Sequence, residues 1–188
     1  MTGVQTCALP IFDFLTVDPA EINLYEGCDK AETVRATVAP DTIPLNLLGW
    51  TLAKEGFAEM TAAEDGVVSL KALKAGKTTV TVTEPGGKKA AVKVNVFVPV
   101  EDVELQVTGK QIPGGTVTVK TTISPKNAGK KDLEWSLDVG EDIATVNSKG
   151  QVKIAKTAPA GTVITVTCKA LGAPEPVVKT VSFEVTEK

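Results

Sequence analysis

Residues 133–154 read Leu-Glu-Trp-Ser-Leu-Asp-Val-Gly-Glu-Asp-Ile-Ala-Thr-Val-Asn-Ser-Lys-Gly-Gln-Val-Lys-Ile, and this stretch decides the fold. A Trp-centred alternating run comes first, then an Ile-Ala-Thr-Val step, then Lys149-Gly150 and a second Val-containing run. Apolar and polar residues alternating at period two mark a strand with one face on a core and one toward water. A glycine between two such runs supplies the positive φ of a tight hairpin. The same order of events occurs upstream. Trp50 and Trp135 lie 85 positions apart, as do Pro40 and Pro125. Phe57-Ala58-Glu59-Met60 and Asp65-Gly66-Val67-Val68 follow Trp50, and Ala75-Gly76 answers Ala160-Gly161. A repeat at this period means two copies of one small module rather than a single large enzyme domain.

Working outward, the pattern predicts seven short strands per copy. In the first copy they fall at 22–25, 34–38, 48–52, 57–61, 67–73, 78–83 and 91–98; in the second, at 103–107, 116–123, 133–137, 143–146, 151–154, 163–169 and 177–185. Val92, Val94, Val96 and Val98 share one face, as do Val117, Val119, Thr121 and Ile123. Turns recur at Asp65-Gly66, Pro85-Gly86-Gly87 and Gly172-Ala173-Pro174, and no segment keeps a helical period. Short alternating strands with regular turn signals predict an all-β chain of two tandem β-sandwiches. The modules span residues 13–98 and 99–188, with Pro99-Val100-Glu101-Asp102 as a short link that restricts a hinge.

Composition narrows the function. Aromatics are 4% of the 188 residues, so each core is mostly aliphatic with one Trp as its largest piece. The patterning predicts a core carrying Val38, Trp50, Ala58 and Val82 in the first copy. Its counterparts in the second are Ile123, Trp135, Ala144 and Val166. The net charge is −3, Arg35 is the only arginine and the lysines are scattered, which argues against nucleic-acid binding. Histidine is absent, which removes Ser-His-Asp and Cys-His nucleophile systems and the usual His-containing zinc sites. No apolar run is long enough to predict insertion into a membrane.

Residues 1–12 stand apart. Met1–Ile11 lacks the basic and apolar regions of a signal peptide, and Cys7 lacks a lipobox context. The string resembles the conceptual translation of a short-read sequencing adapter, so it is expected to be a non-native leader. On that reading, upstream domains of the same polypeptide are expected.

The ordered motifs of residues 13–188 resemble those of the group 2 bacterial immunoglobulin-like domain. The second copy carries Val103-Glu104-Leu105, Val119 to Pro125, Leu133-Glu134-Trp135-Ser136, Ile143-Ala144-Thr145-Val146, Lys149-Gly150-Gln151-Val152 and Ala160-Gly161-Thr162. The first matches more loosely and departs at Ile43–Leu48. The resemblance implies immunoglobulin-like sandwiches from secreted or cell-surface bacterial proteins, or from some phage particles. It implies spacing or adhesion, with an extracellular protein or glycan as partner, no catalytic residues and no cofactor. An accessory module of a secreted enzyme and a phage decoration domain are the alternatives.

Other candidate sites have plainer readings. Cys28 and Cys168 lie in different modules at non-equivalent positions, so they form no intersheet bridge; Cys168 continues an apolar face. The acidic pairs Glu64-Asp65, Glu101-Asp102 and Glu141-Asp142 lack the Asp/Asn/Gly spacing of a calcium loop, so no metal site is expected. Lys130-Lys131 reads as solvated decoration that discourages strand pairing. Trp50 and Trp135 could stack on sugars, but their shared repeat position reads as core. Trp135→Ala is therefore expected to cost about 3–5 kcal/mol, seen as a lowered melting temperature. A variant that kept its melting temperature and lost only ligand binding would place the ring at a binding surface instead.

Overall fold

The computed structural model describes residues 14–39, 43–62 and 65–187, so the leader, Pro40 and Glu64 lie outside the described residues. The chain divides into two compact units, Met1–Phe97 and Val98–Lys188. Both are β-sandwiches.

The first unit contains β1 (Phe14–Asp18), β2 (Glu21–Tyr25), β3 (Glu32–Ala39), β4 (Gly49–Leu52), β5 (Ala58–Ala62), β6 (Val67–Ala72), β7 (Gly76–Thr83) and β8 (Lys89–Phe97). One sheet has the order β1-β3-β6-β5 and the other β2-β8-β7-β4. The expected seven strands become eight, because β1 was not legible as a strand. Its alternation is only five residues long, with Leu15 and Val17 half-buried against the core margin and Phe14, Thr16 and Asp18 exposed. β1 pairs antiparallel with β3, whereas β2 pairs parallel with β8. The interruption at Pro19, which cannot donate to a ladder, lets the two halves serve opposite sheets.

The second unit contains β9 (Asp102–Gly109), β10 (Thr116–Ser124), β11 (Leu133–Leu137), β12 (Ala144–Val146), β13 (Gln151–Ile154), β14 (Val163–Ala170) and β15 (Val177–Glu184). Its sheets run β12-β13-β10-β9 and β11-β14-β15. Lettered A to G in chain order, these are D-E-B-A facing C-F-G, the arrangement of a constant-type immunoglobulin sandwich. The first unit has the same pairing with β2 added beside β8. Residues 98–100 do not stand free as a link. The Val98 carbonyl accepts from the Gly129 N–H at 2.9 Å, and the Val100 N–H donates to the Gly172 carbonyl at 2.8 Å. The Val100 side chain packs with Ala128, Cys168 and Ala170, so this stretch is built into the second unit.

Both cores are aliphatic. Val34, Val68, Val80 and Val92 are fully buried in the first unit, as are Val117, Val152, Ile164 and Val166 in the second. Branched side chains suit this layer because they fill a pleated surface in few rotamers. Each contributes about 1.5 kcal/mol or more, so the cores rest on many valines rather than on one ring. Val38, Ala58, Val82 and Ala144 are also buried. Ile123, Trp50 and Trp135 are half-buried and pack against the margins of these clusters.

Trp135 is positioned by a glycine. Gly150 has φ +72°, and a Cβ added there would meet the indole Cζ2 at 2.8 Å and the Val119 carbonyl oxygen at 3.0 Å. Gly27 has a similar φ of +77° with nothing within 4 Å. Gly150→Ala is expected to cost about 2–4 kcal/mol, combining left-handed strain with displacement of the ring. Gly27→Ala is expected to cost about 1–2 kcal/mol from conformation alone. Chemical denaturation of the two variants measures the difference.

Candidate functional site

A concavity of the second unit lies along β11. This strand is the edge of its sheet, paired only with β14, and Trp135 stands directly across from Cys168 in the register. Side chains alternate along it: Leu133, Trp135 and Leu137 turn toward the core margin, while Glu134 and Ser136 are exposed. A groove of about 560 Å³ runs beside the strand, bounded by Leu133–Ser136 and by Val146–Ser148 of the following hairpin turn. Thr167, Lys169 and Val178 complete its floor and rim. Lys169 approaches Glu134 at 3.4 Å, and Val178 is 54% exposed.

The turn bounding this groove is held by its own side chain. Asn147 Oδ1 accepts from the Lys149 N–H at 2.9 Å and from the Gln151 N–H at 3.1 Å. Such an Asx arrangement replaces main-chain bonds that a tight turn cannot make. The indole Nε1–H of Trp135 is buried and has no hydrogen-bond partner among the described residues. An unpaired buried donor costs about 1–3 kcal/mol, which the ring's packing over Gly150 and the core margin offsets.

The remaining candidates do not converge on a reactive centre. Cys168 is fully buried, and burial pushes its thiol pKa up, away from the nucleophilic thiolate. Cys28 is half-buried in the turn after β2 and, like Cys168, forms no disulfide. Asp102 pairs with Lys179 at 2.8 Å, and Glu101, Glu141 and Asp142 are exposed. Among the described residues, no group of three or more His, Cys, Asp or Glu side chains is gathered for a metal ion.

Two buried polar residues went unnoticed in the sequence. Glu84 is 8% exposed, and its carboxylate accepts from the Gly86 N–H at 2.9 Å and the Lys88 N–H at 3.1 Å. Thr78 Oγ1 donates to the Lys54 carbonyl at 2.9 Å and accepts from the Lys54 N–H at 3.1 Å, prolonging the β4–β7 ladder. Both side chains serve local backbone. The Glu84-Pro-Gly-Gly sequence was the available signal for the first, since a carboxylate opening a glycine turn finds free N–H groups.

No protein-family model matches this chain, and no curated protein sequence matches it. Among solved structures, the chain is similar to the C-terminal 282-residue fragment of intimin solved with the intimin-binding domain of the translocated intimin receptor. That match has 18% identity and a TM-score of 0.50, covering 89% of this chain and 62% of the fragment. Murine CEACAM1b is similar at 14% identity and TM-score 0.46, with 94% of this chain and 100% of that one covered. Domains 5–6 of the S-layer protein SbsC give 18% identity and TM-score 0.38 over 94% and 99% of the two chains. The chain is a pair of tandem immunoglobulin-like β-sandwiches, the fold carried by its own strand order and by the intimin match.

Asp138 continues the β11–β14 ladder with its side chain. The Thr165 backbone N–H donates to Asp138 Oδ1 at 2.7 Å and holds the carboxyl pKa below the ordinary 3.8. Lys179 does the same for Asp102, and Lys71 for Asp29. A depressed folded pKa adds stability that is present above the unfolded value and disappears as pH falls through the folded one. Asp138→Asn is therefore expected to lower the melting temperature at neutral pH. The deficit relative to the parent should narrow once the pH drops below about 3.8, as a pH series of thermal melts will register.

Proposed function

We propose that the chain is a pair of non-catalytic modules that space or adhere, belonging to a larger bacterial surface or secreted protein. The observation that carries this reading is the tandem occurrence of two immunoglobulin-like sandwiches whose interiors are filled by aliphatic side chains. A filled sandwich offers its edges, faces and loops to partners. The group 2 bacterial affiliation rests on the ordered Trp, Ala-x-Φ, Gly and Ala-Gly motifs of residues 13–98 and 99–188. The intimin fragment, solved with a receptor domain, lends support to an extracellular protein as partner, with a glycan as the second class. The adapter-like leader and the expected upstream domains are part of the same proposal.

Immobilised chain offered a panel of extracellular matrix proteins and polysaccharides tests the reading. The expected outcome is saturable binding to a protein or no binding at all, with every offered polysaccharide left intact. Polysaccharide cleavage by the purified chain would overturn the non-catalytic reading. Saturable polysaccharide binding would favour an accessory module of an enzyme.

A further inference from the structure

We propose that β11 of the second unit is a pairing edge for a second copy of this chain, joined antiparallel about Trp135. The phase of the β11–β14 ladder sets which main-chain groups are available. The Leu171 N–H donates to the Asp132 carbonyl at 3.0 Å, and the Asp138 N–H donates to the Thr165 carbonyl at 3.2 Å. Antiparallel ladders alternate, so Asp132, Glu134, Ser136 and Asp138 direct their N–H and C=O groups to β14. Leu133, Trp135 and Leu137 direct theirs outward, along the groove between β11 and the Val146–Ser148 turn. Among the described residues no other strand pairs with this edge.

The other edges of the unit are poorer templates. β12 is three residues long. β9 and β15 lie beside one another, with Asp102 bridging to Lys179 and the Thr186 N–H donating to the Gln111 carbonyl at 2.7 Å. In the first unit the equivalent strand β4 is four residues long, and the Leu48 N–H just before it donates to the Leu45 carbonyl at 3.2 Å. The lysines expected to discourage pairing stand before β11 rather than within it, and Lys131 Nζ is turned back to the Lys126 carbonyl at 2.7 Å.

The sequence of the edge selects the occupant. Leu133-Glu134-Trp135-Ser136-Leu137 has the same apolar and polar order in both directions. A two-fold axis through Trp135 sets Leu133 against Leu137 of the other copy, Trp135 against Trp135, and Glu134 against Ser136. Self-complementarity is what a closed two-fold interface requires. Each outward-facing residue then exchanges two main-chain bonds with its opposite number. No glutamate faces a glutamate in this register.

Sedimentation equilibrium of the full chain over a concentration series tests the proposal, with thermal melts of each variant as the check on folding. The parent is expected to show a reversible monomer–dimer equilibrium. Ser136 is exposed, so its substitutions spare the core. Ser136→Glu places like charges opposite Glu134 twice per dimer and is expected to raise the dissociation constant about 2- to 30-fold. Ser136→Lys places opposite charges there and is expected to lower it by a similar factor. A chain that remains monomeric throughout overturns the proposal. So do two variants that move the constant in the same direction or leave it unchanged.

Discussion

Packing of branched aliphatic side chains between two sheets is the constraint on which both units depend. With both described cysteines free and very few aromatic residues, the cores consist mainly of valines from facing strands, such as Val34 and Val68 against Val80 and Val92. Each such contact is individually small, and the stability of the sandwich comes from their number and interdigitation. That is why strict alternation persists along β7, β8, β13 and β14, while β1 alternates without contributing a fully buried side chain. The tryptophans close the margin of this layer, each on an edge strand.

The same economy explains the polar groups. Glu84, Thr78 and Asn147 each spend their oxygens on backbone N–H groups where the main chain turns or a ladder runs out. Side chains committed in this way hold the backbone, and burial raises the pKa of the Cys168 thiol. What the molecule presents outward is strand edge, hydroxyl-bearing sheet face and loop.

The strand bounded by Leu133 and Leu137 and the one bounded by Gln151 and Ile154 could be read to the residue, because turn residues and strict alternation mark both ends. β1 could not, since Leu15 and Val17 are its only inward residues, and two positions are too few to establish a period. The role of Val98 and Val100 was equally hidden: Pro99 reads as a linker residue, and only the bonds to Gly129 and Gly172 attach the segment to the second unit. The groove beside β11 was visible only as its separate parts. Trp135 was prominent, but its relation to the Asn147 turn depends on the return of β13 past β11 on the opposite sheet.

Local pattern therefore determined a great deal by itself: an all-β chain, two copies, the turn positions and most of the aliphatic core. Those features follow from side-chain alternation and turn chemistry, which act over a few residues. The tertiary structure alone decided that the first strand divides between two sheets, that the Trp rings sit at the margins rather than in the centre, and that β11 lies at the edge of its sheet. Each of these depends on which strand lies beside which, and that choice is made by long-range closure of the sandwich.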